Sequence, residues 1–199
     1  LGLTPEEIIE RIPKDTKAIG LTSMWSYSWP IVRELIHKLK VAFPDTPLVC
    51  GGEHFTAVPE LSMEQAPIDF LVIGEGEETA VAIFRALELG LDHTVIPGIA
   101  YRSAEGEFQK NDRRDRIKNV DEIPWPAWEL FDIEAYSANR LVSGIYYGKT
   151  VPILATRGCP YQCTYCSSPN MWTTRWYARS PKDVLDEIES YYKDLGARN

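Results

Sequence analysis

Long apolar runs are missing from this 199-residue sequence, and positive charge is scarce in it. No uncharged apolar stretch approaches the roughly 20 residues that a helix needs to cross a bilayer, so no membrane-spanning segment is predicted. The 21 Lys and Arg residues are outnumbered by 29 Asp and Glu residues, which argues against a general nucleic-acid binder. No basic-then-apolar leader opens the chain, so we expect a cytoplasmic protein.

Cysteine is also sparse, yet three of the four cysteines lie within eight residues, at Cys159, Cys163 and Cys166. Disulfides are rare in the reducing cytosol, where such a cluster more often holds metal. Three clustered thiolates suit a soft metal, either zinc or an iron–sulfur cluster. Structural zinc normally takes four ligands, and neither a second cysteine pair nor a nearby histidine exists here. An iron–sulfur cluster with one open iron is therefore favoured, with structural zinc as the alternative.

A strand and a helix are predicted on either side of the cysteines. Residues 151–155 (VPILA) have the apolar pattern of a short buried strand. Ser180 and Pro181 are typical of a helix start, and an apolar face continues from there to Leu195. The cysteine loop should then follow the carboxyl end of a strand, where barrel enzymes place their chemistry.

The segment 156–169 (TRGCPYQCTYCSSP) resembles the signature loop of the radical S-adenosylmethionine (SAM) enzymes. The resemblance implies that Cys159, Cys163 and Cys166 bind a 4Fe–4S cluster whose open iron chelates SAM. Tyr165 matches the aromatic position that this family places beside the SAM adenine, and ordinary packing is the alternative role for its side chain. Reductive cleavage of SAM at such a cluster generates a 5′-deoxyadenosyl radical, with an electron donor such as flavodoxin or ferredoxin as partner.

An alternation of strands and helices is predicted upstream of the cysteines. Short apolar strands are predicted at 17–22, 47–50, 69–73 and 99–102, and helices at 30–42 and 77–89. This alternation predicts a mostly parallel, doubly wound α/β sheet of the Rossmann-like kind. Three of the strands lead into loops at 22–28, 51–54 and 74–77, and open α/β sheets bind their ligands at such carboxyl ends.

Glycines stand in two of these loops. Gly51 and Gly52 let the backbone approach a ligand closely or take a positive φ, although glycines often merely turn the chain. The sequence Gly74-Glu75-Gly76 lacks the lysine of a phosphate-binding loop. Its acidic residues are predicted either to cap the following helix or to hydrogen-bond a polar ligand.

The spacing of the first two loops resembles that of vitamin B12-binding Rossmann domains. Those domains carry a Ser-x-Leu element, about 26 residues, and then Gly-Gly around the buried nucleotide tail of cobalamin. Here Thr22-Ser23-Met24 is followed by residues 25–50 and then by Gly51, with Thr in place of Ser and Met in place of Leu. The resemblance implies that the cobalamin crevice is lined by Thr22, Ser23, Met24, Gly51, Gly52, Gly74, Glu75 and Gly76.

Two other residues of this region are predicted to play no part in binding. Cys50 ends a central strand and should be a small buried hydrophobe. His54 lies in a crevice loop, and we expect it at the surface rather than against a ligand.

The predicted organisation has three parts. Residues 1–102 form an N-terminally truncated cobalamin-binding domain, and residues 103–148 form a connector. The connector begins as a solvated hairpin or loop, and its Pro- and Trp-bearing part at 121–131 is expected to lie across a domain interface. Residues 149–199 supply the first βα unit of a partial TIM-type radical SAM barrel, which is C-terminally truncated.

Together these resemblances imply a cobalamin-dependent radical SAM enzyme, most often a methyltransferase in this family, acting on a small-molecule substrate and not on nucleic acid. A radical SAM cyclase or rearrangement enzyme, with or without bound cobalamin, is the alternative among enzymes. A cobalamin carrier or sensor with a structural metal site is the alternative from another class. Substrate contacts should come from later barrel strands, so activity is expected to require a longer chain.

Overall fold

The structure is a computed structural model that describes residues 2–139 and 148–199. Residues 140–147, which belong to the predicted connector, lie outside the described residues. The chain divides into two compact units, Leu1–Arg116 with Tyr161–Thr174, and Ile117–Pro160 with Arg175–Asn199. In the described ranges, no helix combines the length and the apolar character needed to span a membrane.

The helices of the described residues are α1 (Pro5–Arg11), α2 (Trp29–Ala42), α3 (Glu53–Ala57), α4 (Pro59–Gln65), α5 (Glu77–Leu89), α6 (Ile133–Ala138), α7 (Ser168–Trp172) and α8 (Pro181–Asp194). Sequence reasoning found α2, α5 and α8 and missed the shorter ones. One of these, α1, has a readable start, because Thr4 and Glu7 form a capping box in which each side chain bonds the other's backbone N–H.

The first unit is built on a five-stranded sheet whose strands follow one another in chain order. Strands β1 (Ile19–Thr22), β2 (Leu48–Gly51) and β3 (Phe70–Val72) are parallel, whereas β4 (Ile99–Arg102) and β5 (Phe108–Lys110) pair in antiparallel fashion. The register pairs Thr22 with Gly51 and Cys50 with Leu71. The carboxyl ends of β1, β2 and β3 therefore lie at one edge of the sheet.

Helices cover both faces of this sheet. Because side chains alternate along a strand, Cys50 faces one core and Val49 the other. The first core contains Ile36 of α2 and Phe55 of α3, and the second contains Ile83 of α5. The predicted α/β, doubly wound, Rossmann-like class is confirmed.

The polar region after β4 forms a hairpin. β5 pairs with β4 across a turn at 103–107, so the sheet continues past the predicted domain boundary at residue 102. The boundaries of the three predicted parts stay predictions.

The second unit contains α6, α8 and a two-stranded antiparallel sheet of β6 (Thr156–Arg157) and β7 (Tyr177–Ala178). The predicted strand at 151–155 is wrong, because these residues have no ladder pairing, and Ile153 and Leu154 are exposed. An extended segment becomes a strand only where a neighbour pairs with its backbone. In the described part of the second unit that neighbour, β7, lies beside residues 156–157 instead.

The predicted start of α8 is confirmed. The side chain of Ser180 accepts a hydrogen bond of 3.2 Å from the backbone N–H of Asp183, and Pro181 occupies the first turn. A small core then forms around Val151, Tyr191 and Ala197.

Candidate functional site

A groove of about 590 Å³ opens at the carboxyl ends of the three parallel strands. Its volume falls within the usual range for small-molecule and cofactor sites, roughly 300–1,000 Å³. Seven of the eight predicted crevice residues line it: Thr22, Met24, Gly51, Gly52, Gly74, Glu75 and Gly76. The eighth, Ser23, is buried beside the groove. The structure thus brings together residues from three separate loops that were predicted to line one crevice.

Gly52 allows the loops after β1 and β2 to approach each other closely. Its φ of +107° is one that residues with a side chain rarely adopt. A Cβ atom on Gly52 would lie 2.5 Å from the carbonyl oxygen of Ser23 and 2.9 Å from Oγ1 of Thr22. The glycine is therefore required by the contact between the two loops, before any ligand is considered.

Three other glycines keep side chains out of the groove. A Cβ atom on Gly51 or Gly76 would contact only Val72, at 3.4 Å and beyond, and one on Gly20 would contact only Phe84, at 3.8 Å. The remaining space around these positions is open. The backbone at these positions can therefore be approached directly by a ligand.

Glu75 is held by an ion pair that sequence reasoning did not anticipate. Its Oε2 atom lies 2.8 Å from Nε of Arg116, and both side chains are only 6 % exposed. The neighbouring Gly74 has a φ of +83°, and a Cβ atom there would lie 2.9 Å from the guanidinium of Arg113. Two arginines of the polar segment after β5 therefore fix the loop after β3.

Helix α7 supplies a further part of the groove lining. Met171 and Trp172, at the end of this helix, both line the groove. The guanidinium groups of Arg113 and Arg116 donate to the backbone carbonyls of Met171 and Trp172, respectively. Sequence reasoning missed all four residues, since no local pattern marks a contact between segments so far apart.

His54 lies in the core and not at the surface, so the sequence-based expectation is wrong. The side chain is 5 % exposed, and its ring centroid lies 4.7 Å from that of Trp29. Its Nδ1 atom is 2.9 Å from Oγ of Ser26. Burial lowers the pKa of His54, which keeps the ring neutral.

Cys50 is fully buried, as predicted, and burial raises the pKa of its thiol. A thiol that is neutral and shielded from solvent is unreactive and behaves as an apolar group. Cys50 is therefore a packing residue of the groove floor.

The cysteine loop carries free thiols. Cys163 and Cys166 are exposed in the first unit, and Cys159 is half-buried in the second. The backbone N–H of Cys166 donates to the carbonyl of Cys163 over 3.0 Å, and Sγ of Cys166 accepts from the N–H of Ser168 over 3.4 Å. Tyr165 is 90 % exposed. Within residues 2–139 and 148–199, no three His, Cys, Asp or Glu side chains are grouped so as to hold a metal ion, and the ligand set stays a prediction.

The second unit has a cavity of about 290 Å³ beside a buried charge network. Arg179 bridges Asp183 and Glu187 of α8, and the hydroxyl of Tyr191 donates to Glu187. Burial, together with the hydrogen bond to Glu187, raises the pKa of Tyr191 to about 12. The Pro- and Trp-bearing segment lines this cavity, and Nε1 of Trp125 donates to Asp183 over 3.1 Å. This segment therefore packs on α8.

The chain is similar to known proteins over nearly its whole length. Residues 1–84 match the B12 binding domain family. Over 96 % of its length the chain is 31 % identical to the uncharacterized methyltransferase PH0819 of Pyrococcus horikoshii, and it covers 40 % of that protein. It is 32 % identical over 98 % of its length to the anaerobic magnesium-protoporphyrin IX monomethyl ester cyclase of a Synechocystis species, and it covers 38 % of that enzyme. The chain thus spans about two fifths of the relatives' length.

A solved structure shares the fold. The cobalamin-dependent S-adenosylmethionine radical enzyme OxsB, with aqua-cobalamin bound, superimposes on 99 % of this chain with a TM-score of 0.79 at 20 % identity, and the chain covers 26 % of it. The first 84 residues thus match the B12 binding domain family, and the chain is similar over nearly its whole length to part of the curated relatives and to part of a cobalamin-dependent S-adenosylmethionine radical enzyme.

Proposed function

We propose that this chain provides the cobalamin crevice and the cluster-binding loop of a radical SAM enzyme that transfers a methyl group to an unactivated carbon. The observation that carries the proposal is the groove of about 590 Å³, where the predicted crevice residues meet at the ends of three parallel strands. Bound cobalamin would carry the methyl group, and SAM cleaved reductively at a 4Fe–4S cluster would supply the radical that activates the carbon.

The residues of the first unit fit the cobalamin tail. Gly20, Gly51 and Gly76 leave backbone open to a ligand, and Gly52 brings the first two loops together. Apolar contact is available from Val72 and Phe84. An elongated, partly apolar group suits this lining better than a compact, highly charged one, because no lysine or arginine side chain lines the groove within the described residues.

The cysteine loop fits a cluster by its donor set. Cys159, Cys163 and Cys166 provide three thiols, and soft thiolate ligands are those that iron–sulfur clusters take. Tyr165, which is largely exposed beside the last cysteine, is available to contact the SAM adenine. We further propose a small-molecule substrate, an electron donor such as flavodoxin or ferredoxin, and a cytoplasmic location.

Cobalamin titration of the 199-residue chain tests the crevice. Gly51 ends β2 without a positive φ, so valine fits its backbone, but the added methyl groups occupy groove space next to Val72. We expect Gly51→Val to weaken hydroxocobalamin binding by at least about tenfold, which corresponds to roughly 1.4 kcal/mol. Binding is measured by the change in cobalamin absorption on titration.

The matched control is Gly2→Val, because a Cβ atom at Gly2 would contact nothing within 4 Å. This variant should bind cobalamin as the unchanged chain does. If Gly51→Val also bound with unchanged affinity while remaining folded, the placement of the cobalamin tail over Gly51 would be wrong.

Ring formation is a second candidate reaction, which the 32 % identity to the magnesium-protoporphyrin IX monomethyl ester cyclase favours. Both reactions need the same crevice and the same cysteine loop, so the groove does not choose between them. Supplying the longer protein with SAM carrying a labelled methyl group separates the two. Label in the product indicates methyl transfer, and an unlabelled, ring-closed product indicates cyclisation.

A further inference from the structure

Arg116 contacts both the crevice loop after β3 and helix α7, which follows the cysteine loop. Its Nε atom lies 2.8 Å from Oε2 of Glu75, in the crevice loop after β3. The same guanidinium donates to the backbone carbonyl of Trp172 and lies 5.2 Å from the centroid of the Trp172 ring. A planar, multiply donating guanidinium can satisfy such a set of contacts at once, whereas an ammonium group acts as a single point charge.

Trp172 lies close in sequence to the cysteine loop. Helix α7 begins at Ser168, two residues after Cys166, and ends at Trp172. Its Met171 is buried, and the carbonyl of Met171 accepts a hydrogen bond from Arg113. At the other end, Oγ of Ser167 donates to Glu53 of α3 over 2.9 Å. The stretch from Ser167 to Trp172 is therefore hydrogen-bonded at both of its ends to earlier segments of the first unit.

Met171 and Trp172 also line the groove itself. A ligand in the groove therefore contacts side chains that are continuous with the cysteine loop. Ligand binding and the docking of α7 must then influence each other by the same factor, because coupling between two equilibria is reciprocal. Only the fraction of molecules with α7 docked offers the complete groove.

We propose that Arg116 is a positioning residue that holds Trp172 in the groove lining and thereby couples cobalamin binding to the ordering of the segment that carries Cys163 and Cys166. This inference rests on the proposed cobalamin function. It adds that residues downstream of the cysteine motif complete the crevice. Cobalamin binding would therefore help to order the segment that carries two of the three clustered cysteines.

The test combines cobalamin titration with hydrogen–deuterium exchange on the 199-residue chain. Arg116→Gln removes the positive charge and the planar set of guanidinium N–H donors, and Arg116→Lys keeps only the positive charge. We expect Arg116→Gln to weaken hydroxocobalamin binding by about 5- to 150-fold, the usual range of such coupling, with Arg116→Lys in between. Cobalamin should slow amide exchange over residues 161–174 in the unchanged chain and much less in Arg116→Gln.

Arg114→Gln is the matched control. Arg114 stands two residues away in the same segment, but it pairs with Glu78 at 3.2 Å and with Oγ1 of Thr79 at 3.0 Å instead of with α7. This variant should retain both the affinity and the cobalamin-dependent slowing of exchange. Loss of both in Arg114→Gln to the same degree would show general loosening of the segment and would overturn the assignment to Arg116.

The outcomes separate the coupling from the function. If the unchanged chain binds cobalamin and Arg116→Gln binds it equally well with the same exchange pattern, the coupling is overturned and the crevice stands. If the unchanged chain binds no cobalamin, the proposed function fails and the coupling fails with it. Should Arg116→Gln lose its fold by circular dichroism, Trp172→Ala decides, and unchanged affinity and exchange in that variant overturn the proposal.

Discussion

Single glycines determine whether the loops of the groove can meet, and Gly52 is the most constrained of them. Its φ of +107° and the 2.5 Å approach of a Cβ atom to the Ser23 carbonyl mean that even alanine is strained and sterically blocked. We expect Gly52→Ala to lower the free energy of unfolding by about 2–4 kcal/mol, as measured by denaturant titration.

Gly90→Ala is the control for the Gly52 prediction. Gly90 ends α5 with a φ of +64°, but a Cβ atom there would meet nothing within 4 Å. Only the backbone cost of roughly 1–2 kcal/mol then applies. Equal losses at the two positions would show that the contact with Ser23 contributes nothing.

A second prediction at the residue scale concerns pH. Burial lowers the pKa of His54 from its ordinary value of about 6.5, so the unfolded chain binds the proton more tightly than the folded chain does. The contribution of the neutral His54 ring to the free energy of unfolding should be complete above about pH 6.5. It should be lost as the pH drops from there towards the lower pKa of the folded state. Denaturant titrations between pH 7 and pH 5 should give a shallower loss of stability in His54→Gln than in the unchanged chain.

Among the described residues, the side chains that contact the His54 ring are the neutral ones of Ser26, Ser62, Trp29 and Phe55, and burial is the cause of its lowered pKa. If the free energy of unfolding of His54→Gln fell as steeply between pH 7 and pH 5 as that of the unchanged chain, the acid sensitivity would belong to other groups.

At the scale of elements, the termini of the helices follow local rules. Ser180 caps α8 by accepting from the N–H of Asp183, and its own N–H donates to Asp121 over 2.8 Å. We expect Ser180→Ala to cost about 1 kcal/mol, since the side-chain cap is lost while the backbone bond remains. Hydrogen–deuterium exchange should show faster amide exchange in the first turn of α8 in Ser180→Ala than in the unchanged chain.

Ser190 lies inside the same helix and offers a matched substitution. Alanine is the better helix former there, which offsets the loss of the exposed hydrogen bond of 2.8 Å from the Ser190 hydroxyl to Asp194, so Ser190→Ala should cost clearly less than Ser180→Ala. If both substitutions destabilised α8 equally, the loss at Ser180 could not be attributed to capping.

At the scale of the whole molecule, the prediction concerns the three clustered cysteines. After anaerobic reconstitution with iron and sulfide, the chain should hold one 4Fe–4S cluster, seen as bound iron, acid-labile sulfide and a broad absorption in the blue. Replacing Cys159, Cys163 or Cys166 by alanine should each remove most of the bound iron. Tightly bound zinc without a cluster would contradict this and would favour a structural metal site.

Cys50→Ala is the control that the chain itself offers, because this cysteine is fully buried in the first unit. The variant should load iron as the unchanged chain does. Iron loss in Cys50→Ala without loss of structure would mean that Cys50, too, is a ligand.

The sequence by itself determined the features that depend on neighbours along the chain. Apolar periodicity predicted α2, α5 and four of the five strands of the first sheet, and Ser180 marked a helix start that the structure confirms. Thr22 and Gly51 were predicted to lie in one crevice because each stands at the carboxyl end of a predicted strand, and parallel strands end at the same edge of a sheet.

Only the tertiary structure decided the features that depend on contacts between distant segments. Arg116 reaches Glu75 across 41 residues and Trp172 across 56, and nothing local in sequence marks either partner. His54 is buried because Trp29 and Phe55 pack around it, and residues 151–155 are not a strand because β7 pairs with residues 156–157 instead. Local sequence sets the conformations that a segment favours, whereas burial and strand pairing are properties of the partner that the fold brings to it.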